Sequence, residues 1–197
     1  MNPDSNDGKN ISIKNQRIKS LFVQATKEII ITEGVGKVTV RKIAEITGYS
    51  YATIYHYFSD LNDLLLEVKA KMVGDLVEYM ELHKADPMDG VEAIKKENRI
   101  FIDYFIDQPN IFVFFYSYRL DYSKSDYAVK TDLGEKYGET YQNFVTKGII
   151  KQEDISVIVK TIIYSLYGAL ALYFSNNGLT KNKLYEDIDQ IIESLFN

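Results

Sequence analysis

From about Lys14 onward, apolar side chains recur at the three- and four-residue spacing that sets them on one face of a helix. Ile18, Leu21, Phe22, Ala25 and Ile29 make the first stripe, and Gly34 is its stop. Thr39 and Ser50 then stand as N-caps before two short segments, one ending at Gly48 and the other near Phe58. Ser59 and Asp60 offer caps for a long helix with Leu64, Leu65, Val68, Met72, Leu76 and Met80 on one face, running to about Lys84 before Asp86-Pro87. Further helices are predicted over about 88–107, ended by Pro109, then 111–120, 127–147, 153–176 and 181–196, with Gly148 and Gly178 at two junctions. Strand-like alternation is hard to find, and only three prolines interrupt the chain. The pattern predicts an all-α protein of about nine helices. Residues 1–11, polar and holding Gly and Pro, read as a disordered arm; residues 12–60 read as a three-helix unit and 61–197 as a larger helical bundle.

Composition narrows the chemistry. Of 197 residues, 46% are hydrophobic and 26% charged, the balance of a soluble globular protein. There is no cysteine, which removes disulfides, thiolate metal sites and cysteine nucleophiles. No signal pattern opens the chain, and the longest apolar stretch, Ile162 to Phe174, is interrupted by serine, glycine and tyrosine. With no run of the ~18 residues a bilayer demands, no membrane partner is expected and a cytoplasmic location follows. The net charge of −5 hides an asymmetry: residues 1–60 carry eight Lys+Arg against six Asp+Glu, a net +2, and the remainder carries −7. A mildly basic front on an acidic body suits contact with phosphates at one end.

Residues Thr39 to Phe58 read TVRKIAEITGYSYATIYHYF. Two short helices joined by a tight turn must cross steeply and pack closely. Ala44 is small enough for the crossing, Gly48 suits a left-handed turn, and Ile43, Ile46 and Ile54 are expected to lock the pair. The second helix then presents Tyr51, Ala52, Thr53, Tyr55, His56 and Tyr57, whose hydroxyls, rings and imidazole suit phosphate oxygens and base edges. Thr39, Arg41, Ile43, Ala44, Gly48, Ser50, Ile54, Tyr55, Tyr57 and Phe58 stand in register with T-x-R-x-I-A-x-x-x-G-x-S-x-x-x-[IL]-Y-x-[HY]-F. The segment resembles the helix-turn-helix of the tetracycline-repressor (TetR) family, and the likeness extends over about Lys14 to Val68. It implies that 12–60 is a DNA-binding domain and 61–197 a ligand-binding and dimerisation domain. It also implies DNA contacts from Val40, Arg41, Ser50, Tyr51, Ala52, Thr53, Tyr55, His56 and Tyr57, to which the residues themselves add Lys37 and Thr39. Family members commonly place a lysine on phosphate at the start of the fourth helix, where this chain has Leu61; Lys14, Arg17, Lys19 or Lys37 are the candidate compensators.

Neither histidine converges with a carboxylate pair, so no catalytic residue, metal or cofactor is expected and the chain reads as a non-enzyme. The run FVFFYSYRLDY and the aromatics of three other predicted helices exceed what a small bundle buries dry. Phe101, Tyr104, Phe105, Phe112, Phe115, Tyr116, Arg119, Tyr137, Tyr141, Tyr164 and Tyr167 are therefore candidate pocket residues for a small, largely apolar or aromatic inducer. Ile158, Ile162, Ser165, Gly168, Ala169, Leu172, Leu184, Ile188, Ile191, Ile192 and Leu195 are candidates for a homodimer interface. The resemblance implies a dimer that holds a palindromic operator in double-stranded DNA and is released from it by the inducer, the long fourth helix carrying the coupling. The competing expectation is a DNA-bound regulator that docks another protein and takes no small molecule.

Overall fold

Neighbouring pairs of buried side chains, Phe22–Val23, Ala25–Thr26 and Ile29–Ile30, run along the first helix and collect other elements around it. The computed structural model describes residues 4–84, 90–123, 141–176 and 178–196, with side chains from Ile13 onward. Among them are nine helices and no strand: α1 (Asp4–Glu33), α2 (Val40–Thr47), α3 (Tyr51–Tyr57), α4 (Leu61–His83), α5 (Val91–Asp107), α6 (Pro109–Phe112), α7 (residues 141–146), α8 (Ile155–Phe174) and α9 (Lys181–Leu195). The helix begins at Asp4, so the stretch read as a disordered arm is helical over most of its length; after Pro3 no proline interrupts it. Contacts divide the chain into two units, Met1–Leu76 with Gln108–Ala128, and Val77–Asp107 with Val129–Asn197.

In the first unit α1 packs on α2 and α6. Its buried stripe is rotated from the expected one: Leu21 is exposed, while Val23, Thr26 and Ile30 turn inward. With elements on more than one side of α1, the buried arc is wider than one apolar stripe. Lys19 bonds Glu67 at 2.7 Å and Lys27 bonds Asp75 at 2.6 Å. Both partners advance by eight residues, so α1 and the start of α4 run side by side in the same direction.

The segment after Pro109 belongs with this unit. Proline opens α6 at its first turn, where its missing N–H costs nothing. The helix then widens into a π turn over Val113–Ser117, burying Phe114 and Phe115 and exposing Val113 and Tyr116. Three ties hold the segment in place: Asn110 Nδ2 donates to the Ile31 carbonyl at 2.8 Å, Lys69 Nζ to the Phe115 carbonyl at 2.9 Å, and Asn62 exchanges two bonds with the Asp121 backbone at 2.7 and 2.9 Å.

In the second unit α5, α8 and α9 pack pairwise. Ile94, Ile102, Phe105, Ile158, Ile162, Leu166, Leu170, Leu184, Ile188 and Ile192 are buried there. A polar ladder edges the α5–α9 seam: Lys95 pairs with Glu193 at 2.5 Å, Arg99 with Asp189, and Asp103 with both Tyr185 and Lys181. One partner climbs by four residues as the other falls by four, the signature of antiparallel helices. Burial, followed by the bond to the Asp103 carboxylate, pushes the Tyr185 hydroxyl above its ordinary range. Tyr141 and Phe144 close one end against Phe196, at 6.1 and 4.6 Å between ring centroids.

Two expectations about α8 change. The helix over Gln152–Phe174 is long and apolar enough to cross a membrane, with a mean hydropathy of 1.8, because its serine, glycine and tyrosine breaks scarcely lower the average. Only 33% of that apolar window is buried within the chain. The inward face carries Ile155, Ile158, Val159, Ile162, Leu166 and Leu170, so Ile158 and Ile162, with Leu184, Ile188 and Ile192 of α9, are buried within the chain itself. Gly168, Ala169, Ser165, Ile191 and Leu195 are half-buried, and Leu172 is exposed. The outward face shows Val157 at 64%, Tyr164 at 69% and Leu172 at 52% exposure. Helical phase explains the exchange: at 100° per residue, positions 157, 164, 168 and 172 lie opposite 155, 159, 162 and 166.

Phe22 is fully buried and its ring meets Tyr49 at 5.4 Å and Phe58 at 6.5 Å between centroids. Phe22→Ala is expected to destabilise the first unit by about 3–5 kcal/mol, read from urea unfolding.

Candidate nucleic-acid interface

Helices of eight and seven residues are too short to stand alone, and their ends carry much of their definition. The Thr39 hydroxyl accepts from the Lys42 N–H at 3.1 Å, and the Ser50 hydroxyl from the Thr53 N–H at 3.1 Å. Gly48 closes α2 in the left-handed region at φ +72°, its N–H donating to the Ala44 carbonyl at 2.9 Å. A Cβ there would meet nothing within 4 Å, so the backbone angle and not space demands glycine. Ile43, Ala44 and Ile54 are buried at the crossing as expected. Ile46 is not: it is 54% exposed, because the inward face of α2 is set by Ile43, Ala44 and Thr47 and three residues past Ile43 lies off it.

Outward, Thr39, Arg41, Ser50, Tyr51, Ala52, Tyr55 and His56 are exposed, as is Lys37 in the turn before α2. Val40 and Thr53 are half-buried, with the Thr53 hydroxyl 2.9 Å from that of Ser50. Tyr57 is the member of the set most bound to the fold: its hydroxyl donates to Asn15 Oδ1 at 3.1 Å and its ring stands 6.0 Å from Phe22. His56 meets the Tyr57 ring edge-on at 5.1 Å. The Arg41 Nε donates to Glu45 Oε1 at 2.9 Å; that bond, then the Glu45 charge and the neighbouring Tyr51, hold the guanidinium above its ordinary value.

Leu61 is half-buried at the first turn of α4, and the helix start around it is acidic. Asp60 Oδ1 caps the Asp63 N–H at 2.8 Å, and Asp63 Oδ2 accepts from the Ser59 N–H at 2.9 Å. These two bonds fill with carboxylates the helix end that would otherwise attract phosphate. Among the compensators, Lys19 is engaged by Glu67 and sits 5.4 Å from the Phe58 ring centroid. Lys14, Arg17 and Lys37 are exposed and carry no ion pair among the described residues.

The expected pocket residues fall in separate units. Phe112, Phe115, Tyr116 and Arg119 lie in the first, the first two buried and the last two exposed. In the second, Tyr104, Phe105 and Tyr141 are buried and Phe101 half-buried, whereas Tyr164 and Tyr167 point outward from the aliphatic inner face of α8. Tyr137 lies outside the described residues. What sequence reasoning missed is a continuous series of rings: Phe101 to Phe105 at 4.9 Å, Phe105 to Tyr104 at 5.2 Å, Tyr104 to Tyr79 at 5.1 Å and Tyr79 to His83 stacked at 3.9 Å. Burial, then the charges of Asp107 and Asp103, raise the Tyr79 hydroxyl above its usual range. The spacing Tyr79/His83 and Phe101/Phe105 was the available signal, four residues apart on each helix. No group of three His, Cys, Asp or Glu suited to a metal occurs among the described residues.

Residues 22–68 match the family described as bacterial regulatory proteins, tetR family. No curated protein matches the chain in sequence. Solved structures share its fold at low identity. A TetR-family transcriptional regulator from Syntrophomonas wolfei is 18% identical with a TM-score of 0.65, covering 92% of this chain and 95% of that one. One from Mesorhizobium loti is 20% identical with a TM-score of 0.62, covering 92% and 96%. RolR in complex with the ligand resorcinol is 14% identical with a TM-score of 0.69, covering 93% and 89%.

Gly48→Ala is expected to cost about 1–2 kcal/mol of stability through the left-handed backbone alone, and Gly48→Asn distinctly less, as thermal unfolding of the two variants would show.

Proposed function

We propose that this chain is a TetR-family transcriptional regulator and acts as a dimeric cytoplasmic repressor that a small, largely apolar or aromatic molecule releases from a palindromic operator. DNA binding itself rests on the family match and on the fold. The observation that carries the finer reading is the outward face of α8. Val157, Tyr164 and Leu172, with Gly168 between them, form an apolar stripe on a helix whose opposite side is already filled by α5 and α9. Such a stripe gains from a second helix, and small Gly168 lets one approach. A twofold partner gives two copies of α3, and two recognition helices about one DNA turn apart read a palindrome.

Within each copy, Lys37, Thr39, Val40, Arg41 and Ser50 are assigned to the phosphates at the helix ends. Tyr51, Ala52, Thr53, Tyr55 and His56 are assigned to bases and flanking backbone, and Tyr57 holds α3 against α1. With Leu61 in place of a phosphate-binding lysine, Lys14, Arg17 and Lys37 supply the charge. The ring series from Phe101 to His83, with Asp103 and Asp107 beside it, supports an aromatic inducer bearing hydroxyl donors; the resorcinol bound by RolR is of that class. Coupling is assigned to α4, which contributes residues to both units, and a few kcal/mol of differential affinity suffices to empty an operator.

Selection from a random duplex pool is expected to enrich an inverted repeat; no enrichment over bulk DNA would remove the operator reading. Lys37→Ala should weaken binding to all sequences and flatten the salt dependence by about one unit. Tyr164→Glu should convert dimer to monomer in sedimentation with helix content unchanged, and a variant that stays dimeric would move the interface elsewhere.

A further inference from the structure

Arg41 and Glu45 lie one turn apart on the outward side of α2, with Nε–Oε1 at 2.9 Å and side chains 78% and 61% exposed. Sequence reasoning gave Arg41 to DNA and Glu45 no role. The ion pairs of α1, in contrast, join separate elements: Lys19 and Lys27 tie α1 to α4, and Lys42 ties α2 to Glu33 of α1. The Arg41–Glu45 pair, like Lys71–Asp75 of α4, joins two residues of a single helix, and Thr39 and Gly48 already define the ends of α2.

A carboxylate offers a guanidinium the same acceptor oxygens that a phosphate does. Resting on the reading that this face binds DNA, we propose that Glu45 is an intramolecular competitor for the phosphate that Arg41 would hold. Before Arg41 can reach DNA its bond to Glu45 must exchange for one to phosphate, and the released carboxylate remains on the same face, repelling the backbone. An exposed pair exchanges readily, so the penalty is modest and equal for every DNA sequence. The device keeps sequence-independent attraction low and leaves discrimination to the side chains of α3. It accords with a first sixty residues of net charge only +2, and with the carboxylates Asp60 and Asp63 at the start of α4.

The test measures full-length wild type, Glu45→Gln, Arg41→Gln and the double variant on a selected operator and on a random duplex of equal length, over a salt series. Glu45→Gln is expected to bind both duplexes about two- to fivefold more tightly, with a salt slope steeper by about one. In the Arg41→Gln background that gain should largely disappear. An equal gain with and without Arg41 would show plain repulsion and overturn the competition. Weaker operator binding by Glu45→Gln, with the random duplex unchanged, would make Glu45 a base-reading acceptor and overturn it as well. If wild type binds neither duplex, the DNA-binding reading itself falls and takes this inference with it.

Discussion

Two helices of eight and seven residues hold a fixed crossing only because a longer one lies beneath them. Phe22 of α1 sits at that junction, in ring contact with Tyr49, Tyr57 and Phe58, while Ile43, Ala44 and Ile54 fill the angle between α2 and α3. Isolated helices of that length are unstable in water, so tertiary burial supplies what propensity cannot. The caps at Thr39 and Ser50 and the left-handed Gly48 then fix where each helix ends. Every outward side chain assigned to DNA takes its direction from that buried angle.

The parts of this arrangement set by local chemistry were legible in the sequence. Caps, the turn glycine and the register of α2 and α3 depend on residues within four positions of one another, so Thr39, Gly48 and Ser50 could be read directly. The ends of α4, α5 and α9 fell close to expectation for the same reason. Features set by distant packing were not legible. Leu21 and Ile46 fit apolar stripes, yet both face outward because the elements that cover α1 and α2 pack against other faces. On α8 apolar positions occur on both faces, so periodicity alone could not tell its aliphatic inner face from the Tyr164 face. The pocket residues show the same limit: aromatic abundance pointed to rings in contact, but the series through Tyr79 and His83 needs the pairing of α4 with α5.

Electrostatics follow a consistent division. Cations that join elements, such as Lys19, Lys27 and Arg99, are paired with carboxylates across helix seams, where orientation matters more than net charge. Lys14, Arg17 and Lys37 remain exposed near the helix-turn-helix. A chain of net charge −5 can thus present a small positive field at one end.

The ties of Asn110 to Ile31, of Lys69 to Phe115 and of Asn62 to Asp121 also bear on how freely such a protein can be recombined. The N-terminal unit is completed by a segment that returns some fifty residues after α3 has ended. A transplant cut at Asp60 would carry α2 and α3 away without Leu64, Leu65, Val68 and Met72, and without the amide that caps the Ile31 carbonyl. The compact N-terminal unit is therefore discontinuous in the chain, and a transplant that keeps its packing must carry the returning segment along with the helix-turn-helix.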